Sequence, residues 1–148
     1  MTINEATPKE IPILAEFQQK MAMETENLQL DSETLHSGIE ALFNDPSKGS
    51  YFVVRDHAKT IGCLMLTYEW SDWRNGTVVW IQSVYVLPEY RGKGVFRMLY
   101  THVQQLVHAN PSLRGIRLYV EKENHIAQKV YQAMGMDGEH YQLYEWMK

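Results

Sequence analysis

The chain has 148 residues, of which 45% are hydrophobic, and a formal net charge of −4 at pH 7. This length and apolar content suit one sizeable core, so we expect a single domain over residues 1–148. The acidic balance, with no basic run, argues against nucleic acid as a partner. No apolar stretch approaches the roughly 20 residues of a membrane-spanning helix, and no signal-peptide pattern opens the chain. We therefore predict a cytoplasmic protein with no membrane partner.

The cysteine and histidine content gives no sign of a metal site. One cysteine, Cys63, cannot form an intramolecular disulfide or a cysteine-rich zinc site. The six histidines have no H-E-x-x-H or comparable ligand spacing, so no metal is predicted. Because Cys63 lies in an apolar run, we predict a buried small side chain and no acetyl-cysteine intermediate.

The N-terminal part predicts a short strand at residues 2–6 and two helices. Thr7 offers a hydroxyl N-cap, Pro8 suits the first helical turn, and Glu10 can reach back to the cap, so the first helix starts here. Its apolar residues fall three or four apart and form one stripe: Ile11, Leu14, Phe17 and Met21. A weaker helical pattern follows residues 31–32.

The rest of the chain predicts an α/β fold. Three consecutive antiparallel strands are indicated by β-branched and aromatic residues separated by turn formers: residues 50–55, 60–69 and 77–86. A helix, a strand, a helix and a last strand follow in that order: residues 95–107, 115–121, 124–134 and 141–146. The alternating aromatic residues of the last strand suggest pairing with a second copy, hence a possible homodimer.

The segment from Val84 to Leu99 has the clearest chemical pattern. A strand ends, the chain turns at Pro88, and a glycine-bearing turn, residues 91–94 (RGKG), opens a helix. Amides at a helix start lack acceptors within the helix, and the helix dipole adds about half a positive charge, so such a turn binds phosphate. Alternatively, the glycines only shape a tight turn and the cations are solvated. Neither G-x-x-x-x-G-K-[ST] nor G-x-G-x-x-G occurs, which disfavours an ATPase or a dinucleotide enzyme.

This loop resembles the acetyl-CoA loop of the GNAT superfamily of N-acetyltransferases, whose pattern is [RQ]-x-x-G-x-[GA]. Arg91 and Gly94 match its first and fourth positions, while Phe96 replaces the small residue at the last. The segment from Leu118 to Met136 is similar to the family's later signature of strand, Asn, Ala, Tyr and Gly followed by an apolar residue. Together with the order of elements, the resemblance spans nearly the whole chain.

The resemblance implies a mixed, mostly antiparallel sheet, flanked by helices and splayed at its centre between the strands at residues 77–86 and 115–121. Acetyl-CoA would be the cosubstrate. Its pantetheine arm would pair with the end of the first of these strands and contact Asn124, which also fits an ordinary helix N-cap. The residues implied in cofactor binding are Val84, Tyr85, Val86, Arg91, Gly92, Lys93, Gly94, Val95, Phe96 and Asn124.

Acetyl transfer from a thioester to an amine requires a neutral amine, a stabilised oxyanion and a thiolate that leaves. Tyr131, whose phenol holds its proton at neutral pH, is the candidate to protonate the thiolate; the alternative is a core tyrosine. Main-chain N–H groups near Val84 would stabilise the oxyanion if the strand bulges there. The strand positions that hold carboxylates in some relatives have none here. Glu69, at a strand end, is therefore the candidate base, acting directly or through water, or else a solvated carboxylate.

Acidic and aromatic residues predict the binding of an amine. Glu24 and Glu26 lie in the connector after the first helix, and Trp70 and Trp73 follow the second of the three strands. Charge pairing and cation–π contact would suit a small-molecule or peptide amine. Alternatively, the tryptophans cover a core or a dimer surface and the acids are solvated.

The sequence thus predicts an acetyl-CoA-dependent N-acetyltransferase that moves acetyl directly to a primary amine in a ternary complex. The alternative is a non-catalytic CoA-binding or protein-interaction module with the same fold. Phe96 and the missing strand carboxylates favour that second interpretation.

Overall fold

A computed structural model describes residues 1–148, which fall into two compact units, Met1–Leu118 and Tyr119–Lys148. The first unit contains eight elements: β1 (Thr2–Glu5), α1 (Ile11–Glu26), α2 (Ser32–Asn44), β2 (Ser50–Asp56), β3 (Lys59–Ser71), β4 (Gly76–Val86), α3 (Val95–Ala109) and β5 (Leu113–Leu118). The second contains the helix α4 (His125–Ala133). None of these helices has the length and apolar character that crossing a membrane requires.

The five strands of the first unit form one sheet in the order β1-β2-β3-β4-β5. Strands β1 to β4 pair antiparallel, and β5 lies parallel to β4. The β4–β5 pairing runs from Thr77 opposite Leu113 to Ile81 opposite Leu118, whereas β4 continues alongside β3 as far as Val86. This confirms the predicted mixed, mostly antiparallel sheet that opens between β4 and β5.

Helices cover both faces of this sheet. Successive side chains of a strand point to opposite faces. On β2, the Tyr51 ring lies 6.5 Å from the Phe43 ring of α2, whereas the Phe52 ring lies 5.1 Å from the His102 ring of α3. Helices α2 and α3 therefore pack on opposite faces. Fully buried side chains fill the core on both sides, among them Leu14, Phe17, Ile61, Leu64, Leu99 and Val103.

The local signals at the helix starts are confirmed. A 3-10 turn at Pro8–Glu10 leads into α1, and Glu10 Oε2 accepts a hydrogen bond from Thr7 N at 2.8 Å. Asp31 caps α2, because its Oδ2 accepts a hydrogen bond from Thr34 N at 2.9 Å. These short-range contacts satisfy amides that have no acceptor within the helix.

The unit Tyr119–Lys148 is built on α4. Asn124 caps this helix, with Oδ1 accepting from Ala127 N at 3.1 Å, and Gly135 ends it in the left-handed conformation, at φ +86°. No strand is assigned to residues 141–146, which corrects that prediction. A strand requires a hydrogen-bonded partner, and this unit contains no other strand.

Candidate active site

The β3–β4 ladder is interrupted near the end of β4. Cys63 pairs with Tyr85 and Met65 with Gln82, so a single β3 residue faces two residues of β4. One of those two, Ser83, has φ +53°, in the left-handed region that residues other than glycine rarely adopt. These features define a β-bulge, which changes the direction of main-chain groups. It lies next to Val84, whose N–H is predicted to stabilise the oxyanion.

The turn at residues 91–94 connects the end of β4 to α3. Gly92 and Gly94 have φ of +73° and +80°, and a Cβ atom at either would meet no other atom within 4 Å. The first backbone hydrogen bond of α3 runs from Met98 N to Gly94 O at 3.0 Å, so several amides precede it. This open main chain at a helix start fits a pyrophosphate.

The side chain of Arg91 is held against α1. Its Nη2 lies 2.7 Å from Glu24 Oε2, its Nε donates to Val86 O at 2.9 Å, and its guanidinium lies 5.4 Å from the centre of the Tyr85 ring. Tyr85 Oη donates to Glu24 Oε1 at 3.1 Å. Burial, together with this carboxylate, raises the pKa of Tyr85. We call Glu24, Tyr85 and Arg91 the loop cluster.

A cleft of about 580 Å³ lies beside the loop cluster. It is bordered by α1, the start of β3 and residues 85–89. Phe17, whose ring is 5.0 Å from that of Tyr85, forms part of its wall. Charged side chains of both signs also line it: Glu16, Glu24, Glu89, Lys20 and Lys59. Each carboxylate pairs with a lysine or an arginine, and the two aromatic rings are almost fully buried, so the charges along the cleft are balanced.

Glu69, the predicted base, lies elsewhere on the sheet. Its Oε1 accepts hydrogen bonds from Arg117 Nη1 at 2.6 Å and Trp80 Nε1 at 3.1 Å. Burial opposes the ionised form, but these two hydrogen bonds outweigh it and the pKa of Glu69 is lowered. The carboxylate thus contacts Trp80, which lies three residues before Ser83, about 10 Å along β4 at ~3.3 Å per residue. The carboxylate is thus held in an ion pair near the middle of β4, and its role as the base stays a prediction. We call Glu69, Trp80 and Arg117 the sheet cluster.

The four predicted acceptor-binding residues are not brought together. Glu24 and Glu26 lie in the last turn of α1, where Glu24 contacts Tyr85. Trp70 pairs with Thr77 at the other end of β4, about 26 Å from Tyr85 at ~3.3 Å per residue, and Trp73 lies in the turn beyond it. The acidic pair therefore lies at the bulge end of β4, and the tryptophans lie at the opposite end.

The remaining predicted residues have clear local surroundings. Burial raises the pKa of Tyr131, on α4. Cys63 is fully buried, as predicted, and burial raises the pKa of its thiol to about 12. The ring of Phe96 stacks on Tyr100 within α3, at 6.3 Å, so the helix accommodates the aromatic residue at the usual small position. Asn124 is occupied as the N-cap of α4.

The model of the acetyltransferase (GNAT) family matches residues 14–136. The chain belongs to the GNAT family of acetyltransferases. The crystal structure of a possible acetyltransferase from Clostridium difficile 630 resembles this GNAT protein with a TM-score of 0.93 and 41% identity, over 99% of this chain and 97% of the other. A predicted acetyltransferase from Clostridium acetobutylicum, crystallised with acetyl-CoA, shares the fold, with a TM-score of 0.77 and 14% identity over 97% of this chain and 95% of the other.

A curated relative is the aminoglycoside N(6')-acetyltransferase type 1 of Salmonella typhimurium. It is 36% identical over 70 residues, which cover 45% of this chain and 48% of the relative. The GNAT protein thus matches about half the length of this relative.

Proposed function

We propose that this GNAT protein is an acetyl-CoA-dependent N-acetyltransferase that transfers acetyl to a primary amine by direct attack in a ternary complex. One observation carries the proposal: a single strand–loop–helix segment contains both the bulge at Ser83 and the open turn at residues 91–94. A bulge amide suits an acyl oxyanion, and amides at a helix start suit a pyrophosphate. Acetyl-CoA contains both groups.

Different groups of the chain are proposed to bind different parts of acetyl-CoA. The N–H of Val84 is proposed to stabilise the oxyanion, and the main chain of residues 84–86 to pair with pantetheine. The amides of the turn, with Lys93 beside them, are proposed to receive the pyrophosphate. Arg91 has five N–H donors, of which two are directed to Glu24 and Val86. Its other donors are available in this proposal for phosphate oxygens. Asn124 is proposed to contact the pantetheine arm as well as cap α4.

Acetyl transfer also requires two proton movements. Tyr131 is proposed to protonate the departing thiolate, a role supported by its raised pKa, which keeps the phenol protonated at neutral pH. Because Glu69 is held by Arg117, we propose that the ammonium loses its proton to water and that Glu69 acts as the base through this water. Glu24, in the wall of the cleft, is proposed to bind the cationic acceptor.

The proposed acceptor is a small-molecule amine with several cationic groups. The curated relative, which is named for an aminoglycoside, supports this class, and the three carboxylates of the cleft supply negative charge for it. A peptide amine is the competing acceptor. The cytoplasmic location and the homodimer stay predictions from the sequence.

Binding and turnover together test the proposal. Calorimetry should detect CoA and acetyl-CoA binding. Release of free thiol should exceed the hydrolysis background with at least one of a panel of aminoglycosides, polyamines, amino acids and peptides. Binding without such release from any acceptor would favour the non-catalytic module. Absence of binding at millimolar CoA would reject the function altogether.

The variant Tyr131→Phe tests the proton donor. We expect kcat to fall by about 10²-fold, because general acid catalysis contributes on that order, while the Kd of acetyl-CoA stays the same. In the wild type, kcat should also decrease as the pH rises through the raised pKa of this phenol, since only the protonated form donates. Unchanged turnover in the variant would remove Tyr131 from the mechanism.

A further inference from the structure

Three buried polar side chains from three different elements surround the bulge. They are Gln18 of α1, only 4% exposed, Tyr51 of β2 and Cys63 of β3. Gln18 Nε2 lies 3.4 Å from Ser83 O and 3.8 Å from Cys63 Sγ, and Cys63 Sγ lies 3.5 Å from Ser83 O. The Ser83 side chain lies near the buried Tyr51 phenol. Ser83 thus has polar neighbours near both its carbonyl oxygen and its side chain.

These contacts explain how Ser83 keeps a left-handed conformation within a strand. Such a conformation is unfavourable for a residue with a Cβ atom and persists only where the surroundings hold it. The amide of Gln18 is the strongest neutral donor directed at the Ser83 carbonyl, because a thiol is a weak donor. Gln18 is also buried, so it would lose hydrogen bonding if the carbonyl turned away.

The orientation of the Ser83 carbonyl determines the direction of the next amide. The chain contains no cis peptide bond, so Ser83 C=O and Val84 N–H point in opposite directions across one planar peptide. The carbonyl points to Gln18 and Cys63, on the β3 side. Val84 N–H therefore points away from β3, and neither Ser83 nor Val84 belongs to the paired register of β3 and β4.

We infer that Gln18 is a positioning residue for acetyl transfer: by holding Ser83 O, its side-chain amide directs Val84 N–H toward the oxyanion. This inference rests on the proposed function. It gives a buried polar residue of α1 a role in the rate of the chemical step and none in cofactor affinity. An oxyanion donor acts through its fixed direction. A loosened peptide would therefore stabilise the transition state less, while the binding of acetyl-CoA in the ground state would be unchanged.

The test compares two glutamine variants in adjacent positions of α1. Gln18→Met keeps the length of the side chain and removes its donor. Gln19→Met is the matched control, because the side chain of Gln19 hydrogen-bonds Leu30 and Ser32, at the α1–α2 connector. We expect Gln18→Met to lower kcat by about tenfold with unchanged Kd for acetyl-CoA, a part of the 10²–10³ that loss of an oxyanion donor costs. Gln19→Met should leave kcat within twofold of the wild type.

Amide chemical shifts separate this inference from the proposed function. In the 15N-labelled wild type, the Val84 amide proton should move downfield with acetyl-CoA beyond its position with CoA, since only the ester has the acetyl carbonyl. In Gln18→Met that difference should be lost. This readout needs no acceptor, so it remains decisive for Gln18 even if no amine is acetylated.

Two results would overturn the inference. One is a kcat of Gln18→Met equal to that of Gln19→Met, and the other is a Val84 shift that the variant retains. If thermal melting shows that Gln18→Met is unfolded, Gln18→Asn replaces it. That variant stays polar but is one methylene shorter, which withdraws the amide from Ser83 O. The same kcat and shift criteria then apply.

Discussion

The loop cluster and the sheet cluster contain the same three kinds of group. In each, a carboxylate accepts a hydrogen bond from an aromatic residue and pairs with an arginine. Glu24 does so with Tyr85 and Arg91, and Glu69 does so with Trp80 and Arg117. Both clusters use a residue of β4, Trp80 near the middle of the strand and Tyr85 near its end.

Their positions give them different physical consequences. The sheet cluster joins side chains of β3, β4 and β5, three neighbouring strands of one sheet. Its contacts therefore stabilise the fold. The loop cluster joins α1 to the end of β4 and to the turn that opens α3, next to the cleft. Its contacts position an arginine where a polyanion is proposed to bind. The two clusters thus differ in their surroundings, because only the loop cluster lies beside open main chain at a helix start.

Replacing the two arginines should separate these roles most clearly. Arg91→Ala is expected to weaken acetyl-CoA binding about tenfold, because each charge-assisted hydrogen bond contributes ~1.5–3 kcal/mol and ~1.4 kcal/mol is tenfold in Kd. Arg91→Lys should restore this only in part, since an ammonium lacks the planar set of donors. Calorimetric titration measures both variants.

Arg117→Ala is the control for that prediction. It should leave the Kd of acetyl-CoA unchanged and lower the free energy of unfolding, measured in urea. If instead both arginine variants weakened acetyl-CoA binding equally, the division between the two clusters would be wrong.

Glu24→Gln is expected to have two smaller effects: tighter binding of CoA and weaker binding of the cationic acceptor. Removing this negative charge frees Arg91 and reduces repulsion of the pyrophosphate, so the affinity for CoA should rise. The KM of a cationic acceptor should rise as well, because its proposed partner is lost. Both side chains of the ion pair are partly exposed, so we expect changes of about two- to fivefold. A decrease in CoA affinity would instead mean that Glu24 serves to order Arg91.

Local signals in the sequence predicted most of the fold. The helical pattern after residues 31–32, the strands β2 to β4 rich in β-branched and aromatic residues, and the stripe of α3 depend on residues near one another in the chain, and all are confirmed. The turn at residues 91–94 could be predicted from the sequence equally well, because glycines at a strand–helix junction favour left-handed backbone.

Contacts between residues far apart in the sequence could not be predicted in this way. The partner that occupies Glu69 is Arg117, on a strand 48 residues away in sequence, and no local pattern predicts that pair. The position of Gln18 is visible in the sequence, because it lies beside Phe17 and four residues after Leu14, within the buried stripe of α1. A polar residue on a buried helix face needs a partner, and that partner proved to be Ser83 O.

The smallest predicted effect concerns stability and its pH dependence in the sheet cluster. The folded-state pKa of Glu69 is lowered. Its ion pair therefore stabilises the fold fully above the unfolded pKa of about 4.3, and this contribution is lost as the pH falls through the folded value. For a partly exposed pair we expect Glu69→Gln to lower the free energy of unfolding by about 0.5 kcal/mol at pH 7. Below the folded pKa, the difference should vanish.

Urea unfolding at several pH values measures this difference. Arg117 lies among several neighbours, so its single variant removes more than this ion pair. A double-mutant cycle of Glu69→Gln with Arg117→Ala isolates the coupling between the two side chains. A coupling that persists at acid pH would show that the pair acts through packing and neutral hydrogen bonds. Acetyl-CoA affinity should stay constant throughout the cycle, because neither side chain contacts the turn at residues 91–94 in the hydrogen bonds and ion pairs that hold the pair.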